Sequence, residues 1–288
     1  MSHMTPNQPS LLPEPPSGNP SSTTSFNPLK QLIRRSVIRV GHFLFFARNA
    51  LFPLVFLLLL FTTQPEFPFN SERGDAWLDI LGFLVALSGQ ACRALAIGQT
   101  ENIRRGGRRK RVAAKRLIQH GIYAHTRNPL YLGNLLIVIG LGLIANNHWW
   151  YVIVFPLFLS VYWSIVFAEE DFLARQFGQE YAEYRQTVNR FLPRLRGIRR
   201  SCKECEFDWM RVFRKEYSVA CSWLSMTIGL LIWEQWKHFG YPARATQIKG
   251  FAICLVAILV FYVGIWRLKL AGKLQSRENT FTLVEKES

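Results

Sequence analysis

The residues best suited to bind a ligand lie in the stretch from Gly121 to Asn134, which reads GIYAHTRNPLYLGN. Its Asn128-Pro129 pair predicts the start of a helix, because asparagine can cap the first free N–H groups and proline fits the first helical turn. The amides of that turn and the positive end of the helix dipole would then suit an anion. Four further side chains of this stretch lie near the same point: Tyr123, Arg127, Tyr131 and Asn134. We therefore predict that a charged cosubstrate binds at this helix start.

A second set of candidate residues is the acidic pair Glu169-Glu170, which follows an apolar segment at about 149–167. Another apolar segment, at about 129–144, comes before it, and a predicted tight turn at 146–148 joins the two. This pattern predicts a helical hairpin that brings the acidic pair to the same membrane face as Arg127 and Asn128. Two simpler alternatives stay open: the acidic residues could be solvated charges at the end of a span, and the tyrosines could be interfacial aromatic residues.

Long apolar blocks separated by basic clusters characterise the whole chain of 288 residues, of which 49% are hydrophobic. Because a transmembrane helix needs about 20 mostly apolar residues, the blocks predict an all-α, polytopic integral membrane protein. We expect about six transmembrane helices, at about 43–62, 76–98, 129–144, 149–167, 217–236 and 249–266. The net charge of +16 lies in loops beside these blocks, which indicates anionic lipid headgroups rather than nucleic acid as the partner. The distribution of Lys and Arg predicts that both termini are cytoplasmic.

The segment from Glu169 to Arg190 shows the pattern of an amphipathic surface helix. Its apolar residues are spaced three or four apart and form one stripe: Leu173, Phe177, Tyr181, Tyr184 and Val188. We predict that this helix follows the fourth span and folds back as a cytoplasmic lid over the ligand site. The stripe itself is assigned to packing.

Polar residues inside the predicted spans are a further signal, because such groups are costly in a bilayer and usually face a bundle interior or a cavity. Gln90, Arg93 and Asn134 are of this kind, and both a cavity and structural hydrogen bonds would explain them. The five cysteines do not form a disulfide framework, and Cys202 and Cys205 make a lone CxxC with no second pair. We predict no metal site.

Two motifs, in this order and separated by the hairpin, carry a family resemblance. They are Gly121-x-Tyr123-x-x-x-Arg127-Asn128-Pro129-x-Tyr131-x-Gly133 and Glu169-Glu170-x-x-Leu173-x-x-x-Phe177-Gly178-x-x-Tyr181-x-x-Tyr184. Together they resemble the isoprenylcysteine carboxyl methyltransferase family, which is itself similar to the membrane phospholipid methyltransferases. The likeness covers about residues 117–193. It implies an integral membrane enzyme that uses S-adenosylmethionine, held without a Rossmann fold beneath the C-terminal lid helix.

The resemblance also implies site residues by position. The residues expected to contact the cosubstrate are Leu117, Ile118, Gly121, Tyr123, Asn128, Tyr131, Gly133 and Glu169. The predicted catalytic residues are Arg127 and Glu170. Asn128 stands where the family usually has histidine, and Ile165 stands where the isoprenylcysteine enzymes have a substrate-facing arginine. The second departure disfavours a prenylcysteine carboxylate, so we expect a lipid or another membrane-partitioned small molecule as the acceptor.

The chemistry of S-adenosylmethionine agrees with these residue types. Its α-carboxylate suits the helix start at Asn128, its ammonium group suits Glu169, and its sulfonium or adenine suits the tyrosine rings. Methyl transfer is an in-line displacement, so alignment and exclusion of water can supply most of the acceleration. A base is needed only for a protonated amine, a hydroxyl or a thiol, and Glu170 is the candidate.

This interpretation divides the chain into six parts. They are a disordered N-terminal tail (1–27), an interfacial helix with spans one and two (28–98), the methyltransferase core (99–194), a basic connector (195–216), spans five and six (217–270) and a C-terminal tail (271–288). Spans five and six carry no motif, and we expect them to be structural or to mediate a homo-oligomer.

Two functions of other classes compete with this interpretation. The first is a membrane reductase of the sterol-reductase type, which would need a nicotinamide cofactor, although the sequence carries no dinucleotide fingerprint. The second is a non-catalytic membrane scaffold whose basic loops hold lipid or RNA, for which binding would depend steeply on salt.

Overall fold

A computed structural model describes residue 64 and residues 71–99 and 117–272 of the chain. These residues form helices and no β-strand, which confirms the predicted all-α class. The helices are α1 (Glu72–Gly98), α2 (Pro129–Ala145), α3 (Phe155–Thr187), α4 (Ile198–Lys203), α5 (Trp209–Phe239) and α6 (Tyr241–Leu270). A short 3₁₀ helix at Gly121–Ala124 precedes α2, and a π-helical turn at Trp150–Val154 leads into α3. The predicted tail at 1–27, the interfacial helix, the first span and most of the C-terminal tail lie outside the described residues.

Three helical segments are long and apolar enough to cross a membrane: Glu72–Gly98, Trp150–Thr187 and Tyr241–Leu270. Helix α2 is apolar but shorter, with 17 residues. Helix α5 contains the predicted fifth span, yet it does not meet the same measure of length and hydropathy, and it buries Arg211, Glu216 and Glu234. The helices therefore support an integral membrane protein, while six spans and the orientation of the termini remain predictions.

Glycines bring α1 and α2 close together as an antiparallel pair. Gly82 lies against Gly140, and Gly89 lies against Gly133. A Cβ atom added at Gly89 would be 2.5 Å from the carbonyl oxygen of Gly133. Small residues at such positions let the backbones of two membrane helices approach and gain van der Waals contact. This pairing sets the position of α2, whose first turn is the predicted ligand site.

A buried polar network attaches α5 to this pair. The Arg93 guanidinium donates to both carboxylate oxygens of Glu216, at 2.7 and 2.8 Å, and to Asn134 Oδ1 at 2.6 Å. Gln90 donates to Glu216 and accepts a hydrogen bond from the Trp223 indole N–H. The structure therefore supports the alternative in which Gln90, Arg93 and Asn134 make structural hydrogen bonds. The network joins α1, α2 and α5.

The chain reverses within α3, at Gly178. This residue has φ 51° and ψ −118°, a backbone conformation that side chains rarely adopt. Arg190 contacts Glu170 at 2.8 Å, whereas 20 residues of straight helix would place them about 30 Å apart. Residues 188–194, which we call the return segment, therefore lie back beside the start of α2. The surface helix predicted from Glu169 is continuous with the apolar part of α3, and the change of direction comes at Gly178. Its role as a lid stays a prediction.

The predicted apolar stripe packs as one cluster on both sides of that reversal. Tyr181, Tyr184 and Val188 are buried together with Leu117, and Leu173 and Phe177 pack against them. The stripe thus joins the two arms of α3 to the segment before α2.

Candidate functional site

Tyr131 and Glu169 meet at the centre of the predicted site. The Tyr131 hydroxyl donates a hydrogen bond to Glu169 Oε2 at 2.7 Å. Tyr131 lies in the first turn of α2, and Glu169 lies on α3, 38 residues away in sequence. The structure thus brings together the two segments that the sequence analysis placed at one membrane face.

Glu170 is buried, and within the described part of the chain its carboxylate is contacted by residues from other segments. Arg190 donates to both of its carboxylate oxygens, with the shortest distance at 2.8 Å. The Arg127 guanidinium lies 3.3 Å from Oε1, and the Asn128 side-chain amide donates to the same oxygen at 3.1 Å. One carboxylate therefore fixes two guanidinium groups and the residue just before α2.

Asn128 occupies the position before the first residue of α2, as predicted, but its side chain does not cap the helix. Its amide donates instead to Glu170 and to the Arg190 carbonyl oxygen, at 3.1 and 3.2 Å. A hydrogen bond to a carboxylate is stronger than one to a neutral group, which explains the choice. The predicted cap is therefore wrong, and the Asn128 side chain leaves the first N–H groups of α2 to other acceptors. Pro129 opens the helix as expected.

Arg127 is held in place but keeps one donor without a partner. Its backbone N–H donates to the Asn189 carbonyl oxygen at 2.9 Å, and its side chain is 9% exposed. Within the described residues its Nε atom is buried and makes no hydrogen bond. A buried unpaired donor on a charged group is costly, so a ligand oxygen at this point would relieve that cost.

Aromatic rings pack next to Tyr131 and Arg190. Tyr131 lies 5.8 Å from Tyr162 between ring centroids, and Phe158 lies 5.7 Å from Tyr162. The Arg190 guanidinium stacks over the Trp163 ring at 5.3 Å. Such rings can face a cationic centre or a flat heterocycle.

Several predicted cosubstrate contacts have packing roles in the structure. Gly133 faces α1, where an added Cβ atom would lie 2.5 Å from Arg93 Cγ. It is two residues from Tyr131 and therefore on nearly the opposite side of the helix. Gly121 has φ +60° and lies against the Gln99 side chain, whose oxygen accepts from the Ile122 N–H. These contacts favour packing over cosubstrate contact for both glycines.

The other predicted contacts lie at the edge of the site. Leu117 is buried in the apolar cluster of α3, and Ile118 is half-buried. The Tyr123 carbonyl oxygen accepts a hydrogen bond from the Tyr184 hydroxyl at 2.7 Å. Leu117 and Tyr123 therefore help to hold the second arm of α3 against the segment before α2.

The return segment is a part of the site that the sequence did not predict. Arg190 is its main member, and Thr126 donates to the carbonyl oxygens of Arg190 and Phe191. The backbone N–H of Arg194 donates to the His125 carbonyl oxygen at 3.1 Å. The only available signal was a basic residue just after the apolar stripe, and its pairing depends on the reversal at Gly178.

Two groups of side chains outside this site contain residue types that can carry chemistry. Burial raises the pKa of the Cys205 thiol, and neighbouring Cys202 and Glu204 raise it further, which disfavours a reactive thiolate. At the end of α1 far from the site, Asp75, Asp79 and Glu234 have carboxylate oxygens within 4.8 Å of one another. The sequence analysis predicted no metal site and did not foresee this group.

Comparison with known proteins finds a family match for the helices that contain the site. Residues 79–180 match the model of the phospholipid methyltransferase family. This stretch runs from α1 to the second arm of α3. The resemblance predicted from the two motifs is thereby confirmed. The matched stretch ends before Arg190.

Similar proteins include a protein-S-isoprenylcysteine O-methyltransferase of Tribolium castaneum, 28% identical over 43% of this chain and 44% of that protein. The cobalt-zinc-cadmium resistance protein CzcN of Cupriavidus metallidurans is 31% identical over 41% of this chain and 49% of its own length. A probable protein-S-isoprenylcysteine O-methyltransferase of Oryza sativa subsp. indica is 38% identical over 27% of this chain and 41% of its own length. The chain thus spans less than half the length of these relatives. No solved structure matches it.

Proposed function

We propose that this protein is an integral membrane methyltransferase that uses S-adenosylmethionine and acts on a lipidic or small amphipathic acceptor at the cytoplasmic membrane face. The observation that carries the proposal is the Tyr131–Glu169 pair beside the first turn of α2. The match of residues 79–180 to the phospholipid methyltransferase family and the relatives named as O-methyltransferases support the reaction class.

The residues present fit S-adenosylmethionine at both ends of its amino-acid group. The first-turn amides of α2 and the unpaired Nε of Arg127 suit its carboxylate. Glu169 suits its ammonium group, and the rings of Tyr131 and Tyr162 suit its sulfonium or adenine. When bound, this cosubstrate supplies an electrophilic methyl group.

The contacts of Glu170 favour a positioning role over the predicted role as a base. Both of its oxygens accept hydrogen bonds from Arg190, and Arg127 and Asn128 approach one of them. Glu170 would thus orient Arg127 toward the cosubstrate. Arg127 would bind and align the cosubstrate, because an in-line displacement depends more on alignment than on a base.

The return segment and the second arm of α3 would act as the lid. Arg190 of the return segment donates a hydrogen bond to Glu170, and Tyr184 of the second arm donates one to the Tyr123 carbonyl oxygen. The proposed lid is therefore attached at two points. Closing the site in this way would exclude water from the reacting groups.

The acceptor is proposed to be a membrane lipid or a small molecule that partitions into the membrane, and not a prenylcysteine carboxylate. Ile165 is buried and apolar where the isoprenylcysteine enzymes have arginine, so it offers no charge partner for such a carboxylate. No residue in the most apolar stretch of helix α6 is buried among the described residues, which suits either surrounding lipid or a second copy of the chain.

Two measurements on the purified protein test the function. In a thermal-shift titration, S-adenosylhomocysteine is expected to stabilise the protein and NADPH to have no effect, because ligand binding to the folded state raises its stability. Incubation with methyl-labelled S-adenosylmethionine and a lipid extract should then give a labelled lipid, identified by mass spectrometry. Stabilisation by NADPH alone would instead favour a reductase.

A further inference from the structure

The segment 189–203, between α3 and α5, is strongly basic. It contains six Arg or Lys residues and no Asp or Glu. Arg190 pairs with Glu170 and Arg200 pairs with Glu204. The side chains of Arg194, Arg196 and Arg199 are exposed and have no carboxylate partner among the described residues. Three uncompensated guanidinium groups therefore project from one short stretch.

The same stretch exposes two leucines. Leu192 is 78% exposed and Leu195 is 75% exposed, more than any other large hydrophobic side chain in the part of the chain that the structure describes. Both lie outside helices and alternate with the arginines in the sequence Leu192-Pro193-Arg194-Leu195-Arg196. Apolar side chains with flanking basic groups are the composition of segments that lie in a membrane interface.

Contacts with α3 and with the segment before α2 hold this stretch beside the apolar part of α3. The Phe191 ring lies 6.0 Å from the Trp163 ring. Trp163 belongs to the apolar part of α3, six residues before Glu169 and therefore about 9 Å further along the helix. On its other side, the backbone of Arg194 is hydrogen-bonded to His125, just before α2 begins.

We propose that residues 191–199 form a binding surface for anionic phospholipids, which we call the interfacial loop. Leu192 and Leu195 insert among the acyl chains, while Arg194, Arg196 and Arg199 contact the phosphate groups. Apolar insertion alone or basic residues alone attach a segment weakly to a membrane. The two together attach it stably. A soluble phosphate would satisfy the arginines but would leave the leucines exposed, which is why the geometry favours a lipid.

The experiment measures which phospholipids the purified full-length protein retains. The protein in detergent is incubated with equal amounts of phosphatidylglycerol and phosphatidylcholine, and the bound lipids are counted by native mass spectrometry. Phosphatidylglycerol is expected to be preferred. The preference should fall about fivefold for each arginine removed in R194Q, R196Q and R199Q, because each basic residue near an anionic surface contributes to that extent.

A matched variant removes three exposed charges elsewhere: R185Q, K249Q and R267Q. It is expected to keep most of the preference. The double variant L192S/L195S should retain less of both lipids, since apolar insertion serves either headgroup. An equal loss in the matched variant, displacement of the lipid by glycerol phosphate at similar concentration, or a preference for RNA over lipid would overturn the proposal.

Discussion

Glu170 lies between the guanidinium groups of Arg127 and Arg190, and this buried arrangement is the residue-scale basis of the site. Removing one partner of a buried ion pair leaves the other charge uncompensated and costs about 3 kcal/mol or more. We therefore expect E170Q to lower the free energy of unfolding by that amount. R190Q should lower it by less, because Arg127 and Asn128 still contact Glu170 in that variant. The double variant should cost less than the sum of the two, because the same interaction is lost in both.

Denaturant titration in detergent measures this cycle. The exposed pair Arg200–Glu204 is the control, and R200Q is expected to change stability by less than about 1 kcal/mol. Strictly additive effects of E170Q and R190Q would show that the pair is not coupled.

Arg127 makes a second prediction at the residue scale, because its buried Nε has no partner among the described residues. R127K keeps the charge but removes this donor. It is expected to weaken binding of S-adenosylhomocysteine about tenfold, the loss typical of one charge-assisted hydrogen bond. Methylthioadenosine lacks the amino-acid group, so its affinity should be the same in both proteins. Equal weakening for the two ligands would mean that Arg127 does not contact the carboxylate.

At the scale of elements, the position of α2 depends on its close contact with α1. In G133A the new methyl group would lie within 2.6 Å of the Gly89 carbonyl oxygen, so the helices must separate. We expect a loss of about 1–3 kcal/mol in stability, the usual cost of overpacking. The control G250A adds the same methyl group to α6 where no atom lies within 4 Å. It should leave thermal stability unchanged or slightly raised, since alanine favours a helix over glycine.

The reversal of α3 rests on a conformation that glycine adopts most readily. In G178A the added Cβ atom meets no atom within 4 Å, so any effect comes from backbone strain of about 1–3 kcal/mol. Because the reversal positions Tyr184 and Arg190, we expect both the melting temperature and the affinity for S-adenosylhomocysteine to fall. The control G229A, in open space and without a positive φ, should change neither. Unchanged affinity for S-adenosylhomocysteine in G178A would show that the proposed lid does not contribute to binding.

At the scale of the whole molecule, the sequence predicted those features that depend on local pattern. Pro129 marked the start of α2, and the hairpin of α2 and α3 followed from two apolar blocks and a turn. The meeting of Tyr131 with Glu169 followed in turn, because a hairpin returns the chain to the same face.

The features that the sequence did not predict depend on contacts between distant residues. A lone glycine inside a helical pattern is usually tolerated, so nothing marked Gly178 as the point of reversal. Without that point, the pairing of Arg190 with Glu170 could not be foreseen. Asn128 had two acceptable partners, the α2 amides and a carboxylate, and only the fold shows that Glu170 lies within its reach.

The most direct test of the account is the affinity of the purified full-length protein for labelled S-adenosylhomocysteine, compared with that of Y131F and E169Q. Y131F removes the hydrogen bond at the meeting point of α2 and α3. E169Q removes the charge proposed to bind the ammonium group, while its amide oxygen can still accept from Tyr131. We expect saturable binding to the unchanged protein, a loss of about tenfold or more in E169Q, and a smaller loss in Y131F. The variant K249Q, at an exposed residue of α6, should bind like the unchanged protein. No saturable binding, or equal affinity in all four proteins, would contradict the proposed site.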